Sequence, residues 1–268
     1  MSALFSIRDL RLSFPDRGNK PLFGPAPRIE VLKGLTLDIP EGRITGVVGE
    51  SGSGKSTFGR VLVRLLDPDS GQVLFDGKDI AGLAEDDILP MRRDLQMIFQ
   101  DPMSSLNPRH KVWRLIAQPL KRYGRGGTKQ QAVDALDRVG LAAHFADRYP
   151  HQLSGGQRQR VGIARAIALE PRFILADEIV SGLDVSSQAQ VLMLLKKLAR
   201  EMGLTVAFIS HDLSVIRHLC DDVVVLNHGE IVDAGPVADV FDNPQSEVTR
   251  KLLSAIPLPE LDDTWFDD

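Results

Sequence analysis

Three short stretches of this 268-residue chain order their side chains for chemistry on phosphate: GESGSGKST at Gly49 to Thr57, LSGGQRQR at Leu153 to Arg160 and FILADE at Phe173 to Glu178. Gly49, Gly54, Lys55 and Ser56 satisfy G-x-x-x-x-G-K-[ST], a loop that cradles triphosphates when a strand precedes it and a helix follows. Both flanks are present. RITGVV, from Arg43 to Val48, suits a buried strand, and Ser56 to Leu66 can run as a helix. Gly52 and Gly54 permit dihedrals that side chains forbid, so consecutive N–H groups can point at one anion while the helix start adds partial positive charge. The candidate triphosphate-binding loop is therefore Gly49, Glu50, Ser51, Gly52, Ser53, Gly54, Lys55, Ser56 and Thr57, with Lys55 reaching the β- and γ-phosphates and the Ser56 hydroxyl placed to ligate Mg²⁺.

Phe173 to Ala176 fits a strand buried on both faces of a parallel sheet, and it runs straight into Asp177 and Glu178. Acids at such a strand end are costly to keep without a task. Asp177 is placed to hold Mg²⁺ through its water shell, and Glu178 to polarise an attacking water as general base.

The stretch LSGGQ, followed by QRQRVGIARAIALEP and then FILADE, resembles the nucleotide-binding subunits of ATP-binding cassette transporters, a likeness that covers nearly the whole chain. The resemblance implies ATP and Mg²⁺ as ligands. It also implies a head-to-tail pair of subunits in which Ser154, Gly155, Gly156 and Gln157 of one complete the ATP site of the other. By the same likeness Gln100 is the glutamine that touches Mg²⁺ and the attacking water, His211 contacts the γ-phosphate, and Ser181, Gly182, Leu183 and Asp184 cross the dimer interface. An early aromatic stacks on adenine in this family. Phe14 and Phe23 are both available here, Phe14 being preferred because it ends the alternating stretch Ser6 to Phe14.

The elements that must hold these residues follow a consistent order. Ser6 to Phe14, Val31 to Asp38 and Gln72 to Phe75 are β-rich segments separated by turns such as Asp76-Gly77, and they predict an antiparallel subdomain beside the loop-bearing core. Gln130 to Val139 places Val133, Leu136 and Val139 on one helical face before Gly140, so the stretch from Gln100 to Ala166 reads as a helical lobe. Val185 to Met202 is a second amphipathic helix ended by Gly203, and Thr205 to Ser210 and Val223 to Asn227 return to strand. The expected fold is α/β: a P-loop NTPase core of the RecA-like kind with an antiparallel β subdomain and an inserted helical signature subdomain. The expected division is 1–99 with 166–241 for the core and β subdomain, 100–165 for the helical lobe and 242–268 for a C-terminal extension.

Composition narrows the setting. A net charge of −4 gives no global reason to expect nucleic acid as a partner. Cys220 is the single cysteine, expected to be a packing residue in a reducing compartment. MSALFSIRDL carries charge too early for a signal peptide, and no apolar run approaches the roughly 20 residues of a membrane span.

QDPMSSLNPRHKV from Gln100 to Val112, the insertion between Phe14 and Leu32 and the ending VFDNPQ…TRKLLSAIP are similar to the peptide and nickel permease ATPases. Two places depart from that pattern: Ile179 stands where proline usually follows the acid, and Ser246-Glu247-Val248 stands for H-P-Y. The subfamily likeness implies a second, usually unlike, ATPase subunit, with a homodimer also open. It further implies two transmembrane permease subunits touched through Asp101 to Pro108, where Met103 and Leu106 suit a partner surface, and indirectly a periplasmic or extracellular solute-binding protein. The place of work would be the cytoplasmic side of the bacterial plasma membrane. A soluble cassette of translation or DNA repair would share the ATP motifs, but such proteins usually fuse two cassettes or insert a long coiled coil, and this chain does neither.

Overall fold

The computed structural model describes residues 2–16, 18, 24 and 26–255. Ten strands are present among them: β1 Ala3–Pro15, β2 Arg28–Pro40, β3 Ile44–Val48, β4 Ser70–Phe75, β5 Lys78–Asp79, β6 Leu95–Ile98, β7 Phe173–Asp177, β8 Thr205–Ile209, β9 Asp222–Asn227 and β10 Glu230–Pro236. The longer helices are α1 Lys55–Leu62, α2 Val112–Arg122, α3 Lys129–Arg138, α4 Gly155–Ile167, α5 Val185–Met202, α6 Leu213–Leu219, α7 Val237–Asp242 and α8 Glu247–Ser254.

The central sheet has the order β10-β9-β3-β8-β7-β6, parallel from β9 to β6 with β10 antiparallel at its edge. Its middle strands are buried on both faces, which is why they read as unbroken apolar runs. Alternation then sorts their side chains into two cores. Ile174, Ala176, Val206 and Phe208 pack toward the helical lobe, while Phe173, Leu175, Ala207 and Ile209 face a second core with α1 and the β subdomain. That subdomain is the antiparallel sheet β2-β1-β4-β5. Phe5 fastens it to the central sheet, its ring 4.7 Å from Phe173 edge-on and 5.1 Å from Phe75.

Helix boundaries follow local chemistry. Thr128 and Gln131 form a capping box at the start of α3, and Gly140 turns the chain at φ 69 just beyond its end. Leu136 and Val139 are buried as expected, with Val133 half-buried beside them. Helix α1 stops at Leu62, short of the expected Leu66. Arg64 takes the left-handed conformation at φ 53, where its guanidinium pairs with Asp67 and donates to the Leu83 carbonyl at 2.8 Å, turning the chain out of the helix. Half-buried Cys220 packs beneath Gly46, and burial pushes its thiol pKa up.

One expectation for the partner surface is corrected. Met103 is exposed, but Leu106 is wholly buried in the core of the helical lobe. Arg165 of α4 donates to the Ser105 carbonyl at 2.6 Å, which holds the chain there and directs the next side chain inward. Leu106→Ala is expected to cost about 2–5 kcal/mol of folding stability, whereas Met103→Ala should stay within about 0.5 kcal/mol. Urea denaturation of the two variants checks this, and equal midpoints would contradict the inward packing.

Candidate nucleotide site

The turn from β3 into α1 is shaped by glycine. Gly49 lies so close to β9 that a Cβ would fall 2.0 Å from the Leu226 carbonyl oxygen, and Gly54, at φ 102, is the N-cap of α1. The start of the helix therefore faces a cavity of about 520 Å³. Phe14, Val31, Lys55, Ser56, Glu178 and His211 are among the residues around it. This volume falls within the range of ligand pockets.

Lys55 is buried, and its ammonium donates to the carbonyls of Gly49 and Glu50 at 2.8 Å each. Burial pulls its pKa down, against the attraction of Glu178 and Asp177. The Ser56 hydroxyl donates to Asp177 Oδ1 at 3.0 Å. Asp177 is only 4 % exposed, and desolvation raises its pKa despite that bond, leaving a buried carboxylate that favours a cation beside it.

Glu178 leaves the strand. Its backbone adopts φ 48, its N–H donates to the Ile209 carbonyl at 3.1 Å, and its carboxylate meets two neighbours from other strand ends. Gln100, two residues beyond β6, donates from Nε2 to Oε2 at 3.0 Å, and His211, two residues beyond β8, brings Nδ1 within 3.9 Å of Oε1. Ile179 is 1 % exposed within the core, so an apolar side chain fills the position where the resemblance expects proline.

The signature residues lie elsewhere. Ser154 is the N-cap of α4: its hydroxyl accepts from the Gln157 N–H at 3.3 Å, and the Gln157 side chain accepts from the Ser154 N–H at 3.0 Å. Gly155 and Gly156 abut the 181–187 segment, with Cβ positions 3.1 Å from Leu183 Cδ2 and 3.2 Å from Ser187 Oγ. Asp184 caps α5 by accepting from the Ser187 N–H at 2.9 Å and from the hydroxyls of Ser186 and Ser187 at 2.7 Å each. These bonds hold its pKa down at about 2. Ser181 and Gly182 line a smaller cleft with Glu178 and His211. The structure thus gathers Gly49 to Thr57, Gln100, Asp177, Glu178 and His211 in one place, and Ser154 to Gln157 with Leu183 and Asp184 in another.

Phe14 is 38 % exposed on the wall of the main cavity. Phe23 lies outside the described residues. Val31 joins that wall unannounced by any motif, because only the pairing of Leu12 with Leu32 and Phe14 with Ile29 brings this part of β2 alongside β1. The contact of Lys251 in α8 with Glu50 of the loop, at 3.8 Å, was equally silent in the sequence. α8 is fixed there by Asp233, whose carboxylate accepts from the Ser246 N–H at 2.9 Å and the Thr249 hydroxyl at 2.5 Å.

A family model described as ABC transporter matches residues 32–181. The oligopeptide transport ATP-binding protein OppF of Salmonella typhimurium is 46% identical over 264 residues, covering 97% of this chain and 79% of the relative. The OppF of Bacillus subtilis is 46% identical over 243 residues, covering 89% and 80%. Among solved structures, the dimeric ATP-binding cassette MJ0796 in a post-hydrolysis state with ADP and Pi superposes with a TM-score of 0.76 at 32% identity, covering 87% of this chain and 98% of that one. With the phosphate loop, the paired acids and the signature turn all in place on this fold, the chain belongs to the ABC transporter family as one of its ATP-binding cassette ATPases.

Proposed function

We propose that this chain is the ATP-hydrolysing subunit of an importer of oligopeptides or a related small solute, working on the cytoplasmic side of a bacterial plasma membrane. Lys55, Ser56, Glu178 and His211 line one cavity, with Asp177 bonded to Ser56 and Gln100 to Glu178 behind them, and this convergence carries the reading. The solute class rests on the likeness to the OppF proteins and on the S-L-N-P segment after Gln100.

In this reading ATP lies with its phosphates along Gly49 to Thr57, where the backbone donors and the start of α1 receive them. Lys55 exchanges its two carbonyl acceptors for β- and γ-oxygens. Phe14 stacks on adenine beside Val31, an interaction of about 1–3 kcal/mol for nucleic-acid bases on aromatic side chains. Ser56 and Asp177 fit Mg²⁺, which takes one or two carboxylates together with phosphate oxygens and water instead of an all-protein cage. Among the described residues no group of three or more His, Cys, Asp or Glu forms such a cage. When bound, the ion neutralises charge on the β- and γ-oxygens.

Glu178 takes a proton from water as the water oxygen attacks the γ-phosphorus. The bond from that phosphorus to the β–γ bridging oxygen breaks, and ADP leaves with the electron pair. Gln100 orients the carboxylate through its 3.0 Å bond, and His211 faces the γ-phosphate.

A second ATPase subunit, either another copy or an unlike homologue, completes the site with Ser154 to Gln157, and the Ser181–Asp184 segments meet across the pair. Residues 1–99 and 166–241 act as core and β subdomain, 100–165 as the signature lobe and 242–268 as an extension. Asp101 to Pro108, with Met103 exposed and Leu106 serving as its internal anchor, meets two permease subunits, and a solute-binding protein feeds them. Among the described residues no helix is long and apolar enough to cross a membrane.

Lys55→Ala tests the phosphate assignment. Losing a charge-assisted hydrogen bond should weaken ATP binding by about tenfold or more, read by equilibrium titration. An unchanged affinity would remove Lys55 from the site. ATP-dependent peptide uptake by vesicles reconstituted with the permease subunits tests the import reading.

A further inference from the structure

Helix α2 is amphipathic in an unusual way. Val112, Leu115, Ile116, Ala117 and Leu120 are buried, while Arg114, Gln118, Lys121 and Arg122 stand exposed at helical spacing on the other side. Arg109 precedes them on the surface. The chain as a whole is acidic, at −4, yet every charged residue named on this face is a cation.

Nearby basic residues are neutralised: Lys111 and Lys129 share Asp147 at 3.5 and 2.7 Å, and Arg125 pairs with Glu170 at 3.2 Å. Among the described residues no ion pair forms at Arg109, Arg114, Lys121 or Arg122. A cavity of about 380 Å³ opens in the same face, walled by His110, Trp113, Arg114, Gln118 and Lys121. The Arg114 guanidinium lies 5.4 Å from the centre of the half-buried Trp113 ring. Gln118 and Arg122 also border the groove lined by Phe99, Ser104, Ser105 and Asn107, on either side of Gln100 in the chain.

We propose that this face of α2 docks on an anionic phospholipid bilayer, with a phosphodiester headgroup seated between Arg114 and Lys121 and Trp113 at the level of the headgroups. The inference rests on the reading above that the chain works at a membrane. Charge complementarity calls for an anionic surface, and the way the cations are displayed favours a fluid one. They sit on long exposed side chains, those of α2 spread along about 12 Å of helix, and none of the four is buried. Arg165 in the adjoining groove has the opposite design: mostly buried, it is fixed on one carbonyl at 2.6 Å. Tryptophan beside lysine and arginine is also the composition of membrane interfaces.

Flotation of the full chain with phosphatidylcholine vesicles, with and without phosphatidylglycerol, tests this. Binding should require phosphatidylglycerol and weaken as salt is raised. Each interfacial cation contributes about a fivefold gain, so Arg114→Gln combined with Lys121→Gln should lower partitioning about 25-fold and leave ATP turnover unchanged. Arg109→Gln with Arg122→Gln gives an independent second arm with a loss of the same sign. Equal binding to neutral vesicles, or variants that float as well as the parent, would overturn the proposal. So would variants whose defect appears only in assembly with the permease in detergent, which would assign the face to an acidic protein segment. Peptide import without any phosphatidylglycerol dependence would sink this inference alone, whereas lipid binding by a chain that supports no import would sink the transport reading.

Discussion

Glu178→Gln is expected to leave ATP binding intact while hydrolysis falls by about 10² or more, the scale of a lost general base. The substitution keeps side-chain length and removes only the basic oxygen. Lys55, Ser56 and Asp177 form their contacts independently of it, at 2.8 and 3.0 Å. Gln100, now donating to Glu178 Oε2, could still donate to the amide oxygen of the variant. Phosphate release beside an equilibrium binding titration separates the two quantities. Turnover within a few-fold of the parent would take Glu178 out of its role and leave Gln100 and His211 gathered around a carboxylate with no chemical task.

The second large effect concerns Ser154, which lies with the 181–187 segment instead of in the cavity that holds Lys55. If α4 directs its N-terminal donors at a phosphate held by another subunit, Ser154→Arg should lower hydrolysis by about 10²–10³, the cost of removing a positioned donor group. ATP affinity of the isolated chain should not change. Loss of the N-cap itself costs about 1 kcal/mol, so a melting curve accompanies the assay.

Turnover per chain should rise with protein concentration if two copies pair. Mixing Lys55→Ala with Ser154→Arg subunits should restore part of the rate, because one of the two composite sites then combines an intact phosphate loop with an intact signature. A rate independent of concentration and indifferent to Ser154→Arg would refute the shared site.

Much of this was legible in the chain because the relevant physics is local. A run such as FILAD fits a strand buried on both faces, and the apolar faces of Gln130 to Val139 and Val185 to Met202 mark helices that the structure contains. The phosphate loop is local too, since its glycines, lysine and serine are contiguous. What stayed hidden depends on pairing across distance. Val31 reaches the wall of the cavity through the register of β1 with β2, and Leu106 is buried beside a carbonyl that Arg165, 59 positions further on, holds. The early end of α1 was missed for a related reason: the left-handed backbone at Arg64 is stabilised by the distant Leu83 carbonyl.

The backbone at Glu178 bears on how this position tolerates change. Strand alternation would send the side chains of residues 177 and 178 to opposite faces of the sheet, and the φ of 48 at Glu178 breaks that alternation as the chain leaves β7. A non-glycine residue held there costs about 1–2 kcal/mol. Glycine would relax the strain, offset in part by its greater freedom in the unfolded chain, but it would delete the carboxylate. If Glu178 is the base proposed above, durability of the fold and speed of the reaction therefore call for opposite residues at this one site.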